Sequence, residues 1–204
     1  MSQAYQVVLD YWFGELNGEI TKDDQMQKWF AADSDLDDEI RQRFQTLVSA
    51  AGSGHLADWA QSPKGTLALI ILLDQFPRNL YRGLSAAFRF DAMALAYCRR
   101  GLAQEFDMAL SPIERVFFYL PLEHSEQVED QEESMFRFDQ LRKVVSTRNR
   151  PLFDNFYAYA QQHQSIIDEF GRYPHRNACL GRLSTSEERH WLAKHQGGFG
   201  QSAN

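Results

Sequence analysis

The sequence predicts an all-α protein, and three observations lead to this fold class. Apolar residues recur at helical spacing along most of the chain, as in Ile40, Phe44 and Val48. Ser-Pro pairs at 62–63 and 111–112 indicate helix starts, because the serine can cap the helix and proline suits its first position. No segment shows sustained alternation with a period of two, so the sequence predicts no strands.

The composition predicts one helical domain over residues 1–195, followed by a flexible Gly-rich tail at 196–204. Of the 204 residues, 44% are hydrophobic and 24% are charged, as in ordinary globular proteins. The formal net charge of −7 argues against nucleic acid and membrane surfaces as partners, because both are bound through basic patches. No apolar run approaches the ~20 residues that span a bilayer, and the N-terminus lacks a secretory leader, so we expect a cytoplasmic protein. The oligomeric state stays open.

The segment Ser62–Gly83 is the stretch around which the other helices are expected to pack. It contains the unbroken apolar run Leu67–Leu73, and a helix that is apolar on every side is buried on every side. Proline disfavours α geometry in the residue before it, so the helix is expected to end at Phe76, before Pro77.

The other helices follow from their caps and breakers. Before the central segment, helices are predicted at 3–13, ended by Gly14; at 21–32, anchored by Trp29 and Phe30; and from the caps Asp33–Asp35 to Gly52, with a short connector at 55–61. After it, they are predicted at 85–100, capped by Ser85 and ended by Gly101; at 112–120, stopped by Pro121; at 125–146, capped by Ser125; and at 152–170, ended by Gly171. A capping box from Thr185 or Ser184 to Glu188 or Glu187 opens the last helix at 185–195.

The helices from residue 63 onward fall into three pairs, each joined by a corner that contains Pro77, Pro121 or Pro174. If the pairs stack as antiparallel hairpins, the three corners lie on one edge. Polar side chains concentrate there: Asp74, Arg78, Asn79 and Arg82 at the first corner, Glu123, His124 and Glu126 at the second, and Arg172, His175, Arg176, Asn177 and Arg182 at the third. We predict that Arg78, His124 and Arg176 lie within side-chain reach of one another.

Three functions are compatible with these candidate ligand-binding residues. The first hypothesis is a binding scaffold for a small anion or an acidic peptide end, because guanidinium groups bind carboxylate and phosphate well. Alternatively, His124 or His175 acts with Glu123 in acid–base chemistry on an anionic substrate. In the third interpretation the charges neutralise one another, and the function lies in a protein contact. For Asp74 we favour a buried ion pair with Arg78, four residues later.

The sequence predicts no metal site and no cofactor. Cys98 and Cys179 lie far apart, and neither an H-E-x-x-H motif nor a phosphate-binding glycine loop is present. Only a combination of His124, His175 and Glu123 across corners offers metal ligands, and this is a weak signal.

Four motifs resemble those of the bacterial family of unknown function DUF924. They are VLDYWFG at 8–14, LALIILLDQFPRNLYRG at 67–83, PLEHSE at 121–126 and FGRYPHRNACLGR at 170–182. Tyr173 replaces the more usual phenylalanine, and Ser186 stands where proline is expected. The resemblance implies an all-helical superhelix of stacked antiparallel pairs, similar to tetratricopeptide repeats but without a strict period. It implies no activity and no catalytic residues.

Overall fold

The computed structural model describes residues 4–30 and 33–195 and confirms the all-α fold class. Its α-helices are α1 (Gln6–Phe13), α2 (Asp23–Phe30), α3 (Ser34–Gly52), α4 (Pro63–Ile70), α5 (Phe76–Leu80), α6 (Asp91–Ala103), α7 (Pro112–Glu123), α8 (Val128–Val144), α9 (Arg150–Phe170) and α10 (Ser186–Lys194). Short 3-10 helices cover Ala57–Gln61, Ser85–Phe88, Phe106–Ala109 and Pro174–Arg176. The side chain of the predicted anchor Phe30, the predicted helix end at Ala32 and the predicted tail at 196–204 lie outside what the structure describes. None of the described helices has the length and apolar character needed to cross a membrane.

Local capping chemistry places most helix starts where the sequence predicts them. The side chain of Asp33 accepts from the N–H of Asp35 at 2.9 Å, and Ser62 Oγ accepts from the N–H of Gly65 at 3.2 Å. Thr185 and Glu188 form the predicted capping box. Gly171 ends α9 in the left-handed conformation with φ 67°, which glycine adopts without a steric penalty.

The central segment is buried as predicted, but it does not end at Phe76. Helical geometry continues through a π-helical turn at Ile71–Gln75 into α5, and Phe76 itself has α dihedrals of −60° and −36°. The N–H of Phe76 bonds to the carbonyl of Ile71, five residues earlier. This wider turn makes room for the ring of Pro77, which would clash with the carbonyl four residues earlier in a regular α-helix.

Three further boundary predictions are wrong. Pro121 lies inside α7, where burial of neighbours such as Phe117 and Leu122 offsets the ~3 kcal/mol that an internal proline costs. The predicted helix at 85–100 is instead a 3-10 turn followed by α6, which runs past Gly101. Ser125 lies before the N-cap of α8, and its hydroxyl donates to Asp130 Oδ2 at 2.5 Å.

A two-stranded antiparallel hairpin contradicts the prediction that the chain has no strands. Strands β1 (Leu16–Asn17) and β2 (Ile20–Thr21) pair Leu16 with Thr21 across a turn in which Gly18 has φ 66°. Strands this short leave no alternation for a sequence pattern to detect. The carboxylate of Glu19 accepts from Ser146 and Asn149 at 2.7–2.8 Å, which fixes the hairpin next to α9.

Helix α4 lies at the centre of the packing and contacts α1, α6 and α7, while α8 packs on both α7 and α9. Aromatic rings fill the space between the N-terminal helices and α7, with Trp29 and Phe117 at 4.6 Å and Trp12 and Phe117 at 5.6 Å between ring centroids. A smaller cluster of Ile166, Ile167 and Tyr173 holds the turn after α9. This packing brings the end of α5, the end of α7 and the turn Pro174–Arg176 together.

Candidate functional site

Asp74 is the centre of a buried polar group that draws on the three predicted corners. The side chain is fully buried, and Oδ1 accepts from Arg78 Nη2 at 3.1 Å and contacts His124 Nδ1 at 2.7 Å. Oδ2 accepts from Gln75 Nε2 at 2.5 Å. Burial opposes ionisation of Asp74, but Arg78 and His124 outweigh it and hold the pKa of this carboxyl well below its usual value.

Arg176 reaches the same place from the turn after α9. Its Nη1 donates to the backbone carbonyl of His124 at 3.0 Å and lies 3.7 Å from Asp91 Oδ2, which also accepts from Arg78 Nη2 at 3.2 Å. The prediction that Arg78, His124 and Arg176 converge is therefore confirmed. We call Asp74, Arg78, Asp91, His124 and Arg176 the central cluster.

The guanidinium of Arg176 contacts two aromatic rings, and only part of it is hydrogen-bonded within the described residues. The residue is 7% exposed, and its guanidinium carbon lies 4.7 Å from the centroid of Phe88 and 4.5 Å from that of Tyr173. The buried Nε has no hydrogen-bond partner in the described part of the chain, and Nη2 donates to no described residue either. The edge formed by Nε and Nη2 is thus unpaired within residues 4–30 and 33–195.

Burial and neighbouring charges shift the other groups of the central cluster. Burial, followed by the repulsion of Arg78, lowers the pKa of His124 despite the opposing effect of Asp74. Burial raises the pKa of Asp91, and burial together with Arg78 lowers the pKa of Arg176. Burial thus disfavours the charged forms of His124 and Arg176, and the nearest described carboxylate to Arg176 is the shared Asp91, 3.7 Å from Nη1.

A second buried group, of Glu123, His163, Tyr173 and His175, lies against the central cluster. Glu123 Oε1 is 3.2 Å from His163 Nδ1, and burial, followed by the charge of Asp74, raises the pKa of Glu123 to about 8. Burial lowers the pKa of His163 and of His175 to about 3. The sequence interpretation paired Glu123 with His124 or His175. The structure instead places Glu123 beside His163, because α7 and α9 pack directly on each other.

The predicted residues outside these two buried groups form ion pairs and hydrogen bonds with carboxylates elsewhere. Asn79 and Arg82 both donate to Asp37 at 2.8–3.0 Å, Arg172 and Asn177 donate to Glu188 at 2.6–3.1 Å, and Arg182 donates to Glu126 at 2.7 and 2.9 Å. These charges are matched within the protein, as the third interpretation of the sequence expects. The prediction that these residues bind a ligand gains no support from this arrangement.

Several members of the two buried groups have no local sequence signal that marks them as site residues. In the sequence, Asp91 is only an acidic residue in the first turn of a helix, and Phe88 is only an apolar residue. The only local signal of His163 is its position on an amphipathic helix, which is typical of a packed or surface histidine. Within residues 4–30 and 33–195, no three or more His, Cys, Asp or Glu side chains are grouped so that they could hold a metal ion.

The fold and this buried polar group define an all-helical protein with a charged core at the meeting point of its turns. The sequence model of the family described as a bacterial protein of unknown function, DUF924, matches residues 8–196, and the chain belongs to this family. A solved structure of the protein of unknown function ATU0120 from Agrobacterium tumefaciens is similar, with a TM-score of 0.79 and 32% sequence identity. The similarity covers 94% of this chain and 97% of that chain. A comparison with curated proteins finds no match.

Proposed function

We propose that the chain is a binding scaffold for a small anion, a carboxylate or a phosphate, which includes the carboxylate end of a peptide. The observation that supports this function is the Nε and Nη2 edge of the buried Arg176, which has no partner in the part of the chain that the structure describes. Two parallel N–H groups on one edge of a guanidinium match the two oxygens of a carboxylate or phosphate. A buried donor that stays unpaired costs free energy, which an anion at this edge would recover.

The surroundings of Arg176 support an anion rather than a neutral ligand. Its nearest carboxylate oxygen, on Asp91, lies at 3.7 Å and is shared with Arg78. The rings of Phe88 and Tyr173 lie 4.7 and 4.5 Å from the guanidinium carbon, within the range of a cation–π contact. The side chains of Arg176, Arg78 and His124 are 8%, 12% and 15% exposed, which suits a small ligand or the end of a larger one.

The test compares Arg176→Gln with Arg172→Gln in a thermal-shift titration with phosphate, sulfate, acetate and a peptide with a free carboxylate end. Arg172 is the matched control, because Glu188 already occupies its Nε and Nη2. An anion that binds the folded state raises the Tm. We expect this rise in the wild type and in Arg172→Gln, and its loss in Arg176→Gln. The proposal fails if no anion raises the Tm, or if Arg176→Gln responds like the wild type.

Acid–base chemistry on the bound anion is a second candidate function, favoured by the 2.7 Å contact between Asp74 and His124 Nδ1. A carboxylate in this position orients an imidazole and stabilises it when it takes up a proton. Asp74 thus replaces Glu123 as the partner of His124 in this alternative. Hydrolysis of anionic esters or phosphoesters by the wild type that disappears in His124→Gln would establish it, and a panel without turnover would refute it.

A further inference from the structure

Each guanidinium of the central cluster already lies beside a carboxylate. Arg78 Nη2 donates to Asp74 Oδ1 at 3.1 Å and to Asp91 Oδ2 at 3.2 Å. The same oxygen of Asp91 lies 3.7 Å from Arg176 Nη1. The cluster therefore contains two guanidiniums and two carboxylates, in a place where burial reduces the screening of charges by water. An anion that binds Arg176 adds negative charge to this group.

Asp91 is the carboxylate closest to an anion at Arg176. Its side chain is 22% exposed, against 8% for Arg176 and 12% for Arg78, so it is the most accessible of the three. Its second oxygen, Oδ1, is buried and has no hydrogen-bond partner in the part of the chain that the structure describes. The ring of Phe88 lies 4.7 Å from the guanidinium carbon of Arg176 and 5.4 Å from that of Arg78, so both cations contact the same ring.

We propose that the site binds monoanions and selects against dianions, and that Asp91 is the residue that determines this preference. This inference rests on the proposed anion site and names its ligand class: a monocarboxylate, such as the carboxylate end of a peptide, rather than a phosphate or sulfate. Two oxygens that share one negative charge match the N–H groups of Arg176.

A second negative charge on the ligand gains little from this site. The carboxylate of Asp91 contacts the guanidinium that would bind the ligand, so the opposite charges of Arg176 and Asp91 largely cancel for a charge farther away. That second charge still loses its hydration when it enters the site. A fixed carboxylate beside the binding group thus discriminates by repulsion, which is a common source of specificity.

Two anions of similar shape and different charge test the preference. Methanesulfonate has a methyl group where sulfate has a charged oxygen. Calorimetry at pH 8, far above the ordinary pKa of an aspartate, should show methanesulfonate binding the wild type more tightly than sulfate. The expected ratio is about tenfold, the effect of one pair of charges ~10 Å apart at an effective dielectric constant of ~20. Acetate should likewise bind more tightly than hydrogen phosphate.

Substitutions at Asp91 assign the preference to its charge. Asp91→Asn keeps the shape of the side chain and an oxygen that accepts from Arg78, and should raise the affinity for sulfate about tenfold more than that for methanesulfonate. Asp91→Glu keeps the charge and should retain the preference. Asp154→Asn is the matched control, because Asp154 also accepts from an arginine at 3.2 Å, Arg142, but lies outside the central cluster. Circular dichroism checks that each variant is folded.

The comparison of anions on the wild type does not depend on how the variants fold. Equal binding of sulfate and methanesulfonate that still needs Arg176 would overturn this inference and leave the proposed anion site in place. A preference that is undiminished in folded Asp91→Asn would also overturn this inference alone. Binding of no anion at all would overturn the proposed anion site as well.

Discussion

Replacing Glu123 with glutamine should stabilise the protein, and the gain should grow with pH. Glu123 is 4% exposed, and its pKa rises from 4.5 to about 8 because of burial and the charge of Asp74. Between these values the folded state holds a proton that the unfolded state has released. The free energy of unfolding therefore falls as pH rises through this window. Glutamine has the same shape and no charge, so it removes this dependence.

The size of the effect follows from the width of the window. From pH 4.5 to pH 7, at about 1.4 kcal/mol per pH unit, ionisation of the unfolded carboxyl costs the wild type about 3 kcal/mol. At pH 5 the same calculation gives less than ~1 kcal/mol. Urea unfolding followed by circular dichroism at pH 5, 6, 7 and 8 should therefore show curves for wild type and Glu123→Gln that diverge as pH rises.

Glu126→Gln is the matched control with the opposite sign. Burial opposes ionisation of Glu126, but the hydrogen bonds from Arg182 and the N–H of Tyr173 outweigh it and lower its pKa. Its charged form therefore stabilises the folded state above the usual pKa of a glutamate, and this contribution is lost as pH falls. Glu126→Gln should be less stable than the wild type at pH 7. A gain for Glu123→Gln that is equal at pH 5 and pH 7, or a loss at both, would refute the reasoning.

Two further predictions concern acid stability and packing. His163 and His175 have pKa values of about 3 because they are buried, against 6.5 for an exposed histidine, so stability should be lost as pH falls from 6.5 toward 3. In urea unfolding between pH 6.5 and pH 4, His175→Gln should lose about 1.4 kcal/mol less per pH unit than the wild type, and parallel slopes would contradict this assignment. Gly101→Ala should lower the free energy of unfolding by about 1–2 kcal/mol despite the better helix propensity of alanine. The added Cβ would lie 2.5 Å from Cζ of the fully buried Phe118, and a variant as stable as the wild type would show that this ring can move.

Much of the helix layout could be predicted from the sequence, because caps and glycine stops act within a few residues. The cap at Ser62, the stop at Gly171 and the capping box at Thr185 act over distances of three or four residues. The burial of Leu67–Leu73 could likewise be predicted from the run itself, because a helix that is apolar on every side is buried on every side. The errors at Pro77 and Pro121 have the opposite origin: local proline chemistry favours an end, while burial of the surrounding side chains keeps the helix going.

The candidate site was only partly predictable for the same reason. The proximity of Arg78, His124 and Arg176 could be predicted because the sequence places each of them at a proline-containing corner between two helices. The hydrogen-bond partners could not be predicted, because they are distant in sequence. Asp37 accepts from Asn79, 42 positions away, and Asp91 contacts both Arg78 and Arg176, which lie on different elements. Whether the N–H groups of an arginine are all paired depends on every side chain that packs around it, and a local sequence pattern carries no information about those neighbours.

The sequence by itself determined that this chain is helical, where most helices start, and that Leu67–Leu73 is buried. Only the tertiary structure decided that Asp74 contacts His124 and that Glu123 lies beside His163. It also decided that one edge of Arg176 has no partner among the described residues, while Arg82, Arg172 and Arg182 are paired. The physical reason is range. Helix periodicity and capping act within about four residues. The bonds that define the site join residues about 50 positions apart, such as His124 with Asp74 and Arg176 with His124, and exist only once the helices have packed.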